Sequence, residues 1–134
     1  VKKPDEKFFY TFIVGADKAG INATTPSPPM LQNLQGEDLI RIDAGQLGIL
    51  TTEIKNNNAR EQPFTALVEV RSTENVTVYL QWQAGTLLSN GTTMIGLSWT
   101  PEESGSYQVR TFVISDFESP RPLSTVVTSE VDVT

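Results

Sequence analysis

The sequence contains no histidine and no cysteine. Those absences remove the Ser-His-Asp triad, thiol nucleophiles, the usual zinc sites, and haem or iron–sulfur ligation by these residues. Lysine and arginine total 10 against 16 aspartates and glutamates, a formal net charge of −6. Nucleic acid and anionic lipid recruit clustered positive charge, so neither is expected as a partner. No apolar run reaches the ~18 residues of a membrane span. The longest, residues 8–14, is far too short, and Asp5 and Glu6 stand where a secretory leader carries positive charge. The chain therefore reads as a mature one that inserts into no membrane. Carboxylates and hydroxyls alone remain for catalysis, and the expectation is a protein that is not an enzyme and needs no cofactor.

What is present is a period of two. The 134 residues suit one domain, large enough to bury roughly two thirds of its unfolded surface. Alternating segments run over residues 47–55, 64–71, 76–82, 93–100, 106–115 and 125–133, rich in Val, Thr, Ile and aromatics. In the second of these, Phe64, Ala66, Val68 and Val70 share one face. Asn56-Asn57-Asn58, Thr73-Glu74-Asn75, Ser89-Asn90-Gly91 and Ser119-Pro120-Arg121-Pro122 punctuate the segments with turn chemistry. Short strands at regular spacing, with no amphipathic helix among them, predict an all-β sandwich of about seven antiparallel strands with an extra N-terminal strand.

Glu103-Ser104-Gly105-Ser106-Tyr107 introduces a strand in which Tyr107, Val109, Thr111 and Val113 alternate. It resembles the Asp-x-Gly-x-Tyr corner of immunoglobulin-like domains, with Glu103 in place of Asp. The plainer alternative is an ordinary type I turn before a strand. Together with Lys55-Asn56-Asn57-Asn58, Gln62-Pro63-Phe64, Leu97-Ser98-Trp99-Thr100-Pro101 and Phe112-Val113, the corner makes residues 29–134 resemble the immunoglobulin-like repeats of archaeal cell-surface proteins, similar to adhesion-type (CARDB-like) domains. Leu31-Gln32-Asn33-Leu34-Gln35-Gly36, Leu39 and Ile42-Asp43-Ala44-Gly45-Gln46 resemble the first strands of that repeat. The resemblance implies an extracellular place at the cell surface and a structural or adhesive role without catalytic residues. Such repeats often stand in tandem, whereas this chain holds one copy.

Residues 1–28 are then left as an N-terminal extension. Phe8, Tyr10, Phe12 and Val14 would form one face of a strand over residues 7–14, and Phe9, Thr11 and Ile13 the other. A strand apolar on both faces requires cover on both, and exposed to water it would aggregate. Residues 15–28 read as a linker. The assembly strand (Phe8, Phe9, Tyr10, Phe12, Ile13 and Val14) can fold back on its own domain or insert into the next subunit by strand addition. The second arrangement is head to tail and produces an open homopolymer of copies of the chain. It resembles archaeal pili and threads built from immunoglobulin-like subunits with N-terminal donor strands. A fragment of a larger surface or S-layer-type protein, or a monomeric adhesion, glycan-binding or partner-binding module, are the other readings.

Three sequons, Asn22-Ala23-Thr24, Asn75-Val76-Thr77 and Asn90-Gly91-Thr92, are candidate carriers of N-linked glycans. Asn90-Gly91 also suits a plain type I′ turn. Glu37, Asp38 and Asp43, or Asp116 and Glu118, could bridge a calcium ion between loops, but solvated faces are the simpler reading and no metal site is expected. Trp82 and Trp99 are the side chains that could serve as sugar platforms, although their place in strand patterns predicts core packing.

Overall fold

The computed structural model describes residues 18–134. A single 3-10 turn, Gly20–Asn22, precedes ten strands: β1 (Thr24–Pro26), β2 (Met30–Gln32), β3 (Asp38–Leu39), β4 (Arg41–Ile42), β5 (Gly48–Asn56), β6 (Gln62–Ser72), β7 (Thr77–Leu87), β8 (Thr92–Trp99), β9 (Gly105–Ile114) and β10 (Val127–Val133). Two sheets face each other. In the smaller, β5 is central: β8 lies along one side, while β1 and β2 share the other, with β3 outside β2. The larger has the order β4-β10-β9-β6-β7. This is an immunoglobulin-like all-β sandwich. It departs from a wholly antiparallel one at its margin, where β4 runs parallel to the end of β10.

The core follows from the alternation. Phe64, Ala66, Val68 and Val70 turn inward from β6 and are all buried, as are Val109, Thr111 and Val113 from β9. One cluster gathers Leu31, Ile42, Leu50, Val68, Val70 and Trp99 with Val109 of β9 and Val131 and Val133 of β10, and a second holds Ile54, Phe64, Ala66, Leu87, Ile95, Val113 and Leu123. Leu97 packs against both. Packing is tight enough at the start of β5 that a Cβ on Gly48 would sit 2.8 Å from side-chain atoms of both Ile42 and Leu31. Trp99 is flanked edge-to-face by Tyr79 and Tyr107, with ring centroids at 6.3 and 5.9 Å.

The linker expectation for residues 15–28 does not hold over the part described, residues 18–28. Thr24, Thr25 and Pro26 pair with residues 54–56 of β5, Ala23 and Thr24 are buried, and both the Thr24 amide and its hydroxyl donate to the Leu123 carbonyl at 2.8 Å. The sandwich thus begins upstream of Pro29. Of the three asparagines at the end of β5 and just beyond it, read from sequence as turn punctuation, Asn57 and Asn58 hold this stretch. Asn57 Nδ2 donates to the Asn22 carbonyl and the Thr25 hydroxyl, and Asn58 exchanges side-chain hydrogen bonds with both the amide and the carbonyl of Lys18. Asn56 is fully buried, and its Nδ2 donates to the carbonyls of Arg60 and Leu88.

Candidate functional site

Phe8, Phe9, Tyr10, Phe12, Ile13 and Val14, the expected assembly strand, lie outside the described residues. What the structure does describe is the flank of the sandwich that such a strand would need. Among the described residues β7 pairs with β6 alone and β8 with β5 alone, so one edge of each is open. The two edges lie on the same flank, where the Tyr79 hydroxyl of β7 donates to the Ser98 carbonyl of β8 at 2.8 Å. Burial raises the pKa of that tyrosine, which keeps it a donor over the whole physiological range. Neither strand contains a charged residue or a proline. Natural edge strands normally carry such residues to discourage pairing with other chains. A groove of about 400 Å³ opens on this flank, bounded by Tyr79, Trp99, Tyr107, Glu102 and Glu103.

The same groove meets the turn before β9. The Tyr107 hydroxyl donates to the Glu103 carbonyl at 2.7 Å. Gly105, between them, has a φ of 147°, a backbone region that side chains disfavour. Glu103, Gly105 and Tyr107 thus come together and fix the entry of β9.

The sequons separate in their geometry. Asn22, Asn75 and Asn90 are all exposed. Asn75 and Asn90 occupy turns with positive φ, 63° and 53°. At the β7–β8 turn the Gly91 amide bonds back to the Leu88 carbonyl, and positive φ falls on Asn90 but not on Gly91. The type I′ alternative, which needs both, is therefore excluded. The third residue of each sequon differs more. Thr24 is buried and bonded in β1, and the Thr77 hydroxyl donates to the Glu69 carboxylate. Thr92 is exposed at the start of β8.

The two tryptophans also part company. Trp99 is a core residue, 5% exposed, but Trp82 is 49% exposed and contradicts the expectation of core packing. It points outward from the larger sheet, where it faces Leu67 across β6–β7 and meets Phe117 edge-to-face, ring centroids 5.1 Å apart. Beyond Leu67 lies Phe112 on β9. One step along the strands, the next outward row is Leu80, Glu69 and Arg110.

Glu69 is the residue the sequence reading passed over. Its carboxylate accepts from Arg110 Nη1 at 2.9 Å, from Arg71 Nε at 3.1 Å and from the Thr77 hydroxyl. Burial by itself would raise its pKa, but the hydrogen bonds from Thr77 and Arg71 and the charges of Arg71 and Arg110 hold it below its usual value. The available signal was a lone acid inside an otherwise apolar strand, Leu67-Val68-Glu69-Val70. Four of the five acidic residues considered for calcium instead take part in local hydrogen bonds. Asp38 and Glu37 accept from Gln32 and Asn33, Asp43 from the Thr134 hydroxyl, and Asp116 from the Ser119 amide. Among the described residues no group of three or more such side chains could hold a metal, and no helix is long and apolar enough to cross a membrane.

Comparison with known proteins supports the fold. No protein-family model and no curated protein sequence matches the chain. Among solved structures, the C-terminal domain of wzt is similar with a TM-score of 0.73 and 11% identity, covering 87% of this chain and 76% of that one. The CARDB domain of a Pyrococcus furiosus protein, crystallised in complex with di-metal ions, is similar with a TM-score of 0.60 and 14% identity, over 88% of this chain and 95% of that one. Its solution structure gives 0.60 at 17% identity. At such identities the likeness defines the class, an immunoglobulin-like β-sandwich module with a CARDB domain of an archaeal protein among its structural neighbours.

Proposed function

We propose that this sandwich is a structural module of an extracellular surface assembly, and that it grows head to tail by strand addition at the flank formed by β7 and β8. The observation that carries this reading is a pair of uncharged, proline-free strand edges on one side of the molecule that no other described residue pairs with. Strand addition draws its affinity from backbone hydrogen bonds and its register from alternate side chains. An incoming strand beside β8 would extend a row that already turns Ile95, Leu97 and Trp99 toward the core.

The donor in this reading is the segment over residues 7–14 of a second copy. Its alternation of Phe8, Tyr10, Phe12 and Val14 offers apolar side chains at the spacing a strand requires. Burying one of its aromatics is worth roughly 2–3 kcal/mol, enough in sum for a durable joint after ordering costs. The contact is not self-complementary, so its repetition gives an open filament. N-linked glycans on the exposed sequons would coat the outside of such an assembly.

Negative-stain electron microscopy of the full chain beside its Phe12→Asp and Tyr10→Asp variants tests the reading. Filaments from the unaltered chain and compact, folded monomers from both variants are expected. Compact monomers from all three would overturn it.

A further inference from the structure

We propose that the outward face of the larger sheet, around Trp82 and the Glu69–Arg110 pair, is a binding site for an acidic oligosaccharide. Trp82 belongs to β7, but its side chain lies on the outward face of the sheet, and the site does not depend on the strand-addition reading. Trp82 and Phe117 are 49% and 52% exposed, yet they are held in contact at an interplanar angle of 77°. The two half-exposed aromatic rings, set over the buried Leu67 and beside the partly exposed Phe112, form a small apolar platform on this face. Aromatic faces carry partial negative charge, which attracts the weakly positive C–H side of a sugar ring.

The platform is pre-organised. The loop that carries Phe117 is pinned by hydrogen bonds from the Ser119 amide to Asp116, from the Ser115 hydroxyl to the Ser119 carbonyl, and from the Arg121 amide to the Ser115 hydroxyl. A bridge between Ile114 and Pro122 closes its base. Aromatic contacts held in advance lose little entropy on binding.

The neighbouring polar row decides the ligand class. One carboxylate, Glu69, is shared between two guanidinium groups, Arg71 and Arg110. The cluster therefore bears net positive charge on a chain whose total is −6. Glu69 uses Nε of Arg71 and Nη1 of Arg110, so each fork keeps further N–H donors for planar, bidentate recognition of a second carboxylate. Gln108 separates Arg71 from Glu130 in the next row. A saccharide presents an apolar ring face beside polar rims, matching the aromatic platform and its neighbouring charged row.

The geometry sets the ligand's length. Arg110 lies two strands across and one outward step along from Trp82, or roughly 10 Å and roughly 7 Å in strand spacings. A single sugar cannot span both; two or three linked residues can. Glu69 acts as a positioning residue that holds the two guanidinium groups.

The test is titration of the full chain with trigalacturonate, followed by tryptophan fluorescence, with galacturonate monomer and neutral galactotriose as controls. Saturable binding of the acidic trimer is expected, roughly tenfold tighter than either control, which is the scale of one charge-assisted contact. Trp82→Ala should abolish the response. Arg71→Gln, at a partly exposed side chain, should bring the acidic trimer down to the level of the neutral one while leaving the fold intact. Equal affinity for acidic and neutral trimers, binding unchanged by Trp82→Ala, or no binding at millimolar ligand would each overturn the proposal. So would self-association lost on Trp82→Ala in light scattering, because the face would then belong to a second copy.

Discussion

Asn56, at the end of β5, donates through Nδ2 to the carbonyl of Leu88, 32 residues further along the chain, at 2.9 Å. The same amide group reaches the Arg60 carbonyl at 2.7 Å, and its Oδ1 accepts from the Asn58 amide at 3.0 Å. One buried side chain therefore ties β5, the β5–β6 loop and the β7–β8 turn together at one end of the sandwich. The Asn56 amide itself donates to the Gly91 carbonyl, so the turn carrying Asn90 is fastened twice. Asn58 and Asn57 extend the network to Lys18 and Asn22.

Asn56→Ala removes a fully buried side chain that partners two part-buried carbonyls and one buried amide. Unpaired buried groups cost about 1–3 kcal/mol each, and partial relaxation toward solvent leaves a net loss of about 2–3 kcal/mol. Urea unfolding should show the midpoint falling with an unchanged slope. Asn57→Ala, whose side chain bonds at an exposed site, should cost under about 1 kcal/mol.

Glu69 makes stability depend on pH in a known direction. Its folded pKa lies below the usual value of 4.5. The unfolded chain therefore binds a proton more readily than the folded one in that window. The stabilising contribution is fully present above the unfolded value and is lost as pH falls from there through the folded pKa. Glu69→Gln should destabilise the domain at pH 7 by about 1 kcal/mol, less than a fully buried pair because both guanidinium groups keep contact with water. The gap should close toward pH 3, a trend that denaturant titrations at the two pH values would measure. A gap that widened on acidification would contradict the assignment.

The sequons should differ in occupancy. Asn90 stands in an exposed turn followed by an exposed Thr92, while Thr24, the third residue of the Asn22 sequon, is buried and hydrogen bonded. Folded chain presented to a glycosylation system should be modified at Asn90 and remain unmodified at Asn22. Peptide mass spectrometry reads this directly; equal occupancy would show that modification precedes folding.

Much of the sandwich was legible because β6 and β9 alternate cleanly around a two-sided core. Phe64, Ala66, Val68 and Val70 need no neighbours to declare their shared face. Other features depend on contacts that no local pattern encodes. β1 is three residues long and exists because β5 pairs with it, so Thr24-Thr25-Pro26 reads as linker. β7 continues past Trp82 to Leu87 through Gln83-Ala84-Gly85-Thr86, which has weak strand propensity but a full partner in β6. Trp82 fits the strand pattern, yet alternation alone does not say which face of an edge strand meets the core. Tyr79 packs inward, and a register shift between Val70 and Arg71 precedes it in the pairing. Glu69 reads as a routine outward position until Arg71, Thr77 and Arg110 converge on it from three points of the chain.

The central claim is that the flank of β7 and β8 receives a strand from another copy. Amide hydrogen exchange of the full chain, measured across a range of protein concentrations, tests it most directly. The account predicts that amides in Thr77–Leu87 and Thr92–Trp99 become protected as concentration rises, and that Phe12→Asp removes the effect. Protection that is independent of concentration would mean that the flank is closed by its own chain, and exchange that stays fast throughout would mean that nothing pairs there; either result contradicts it.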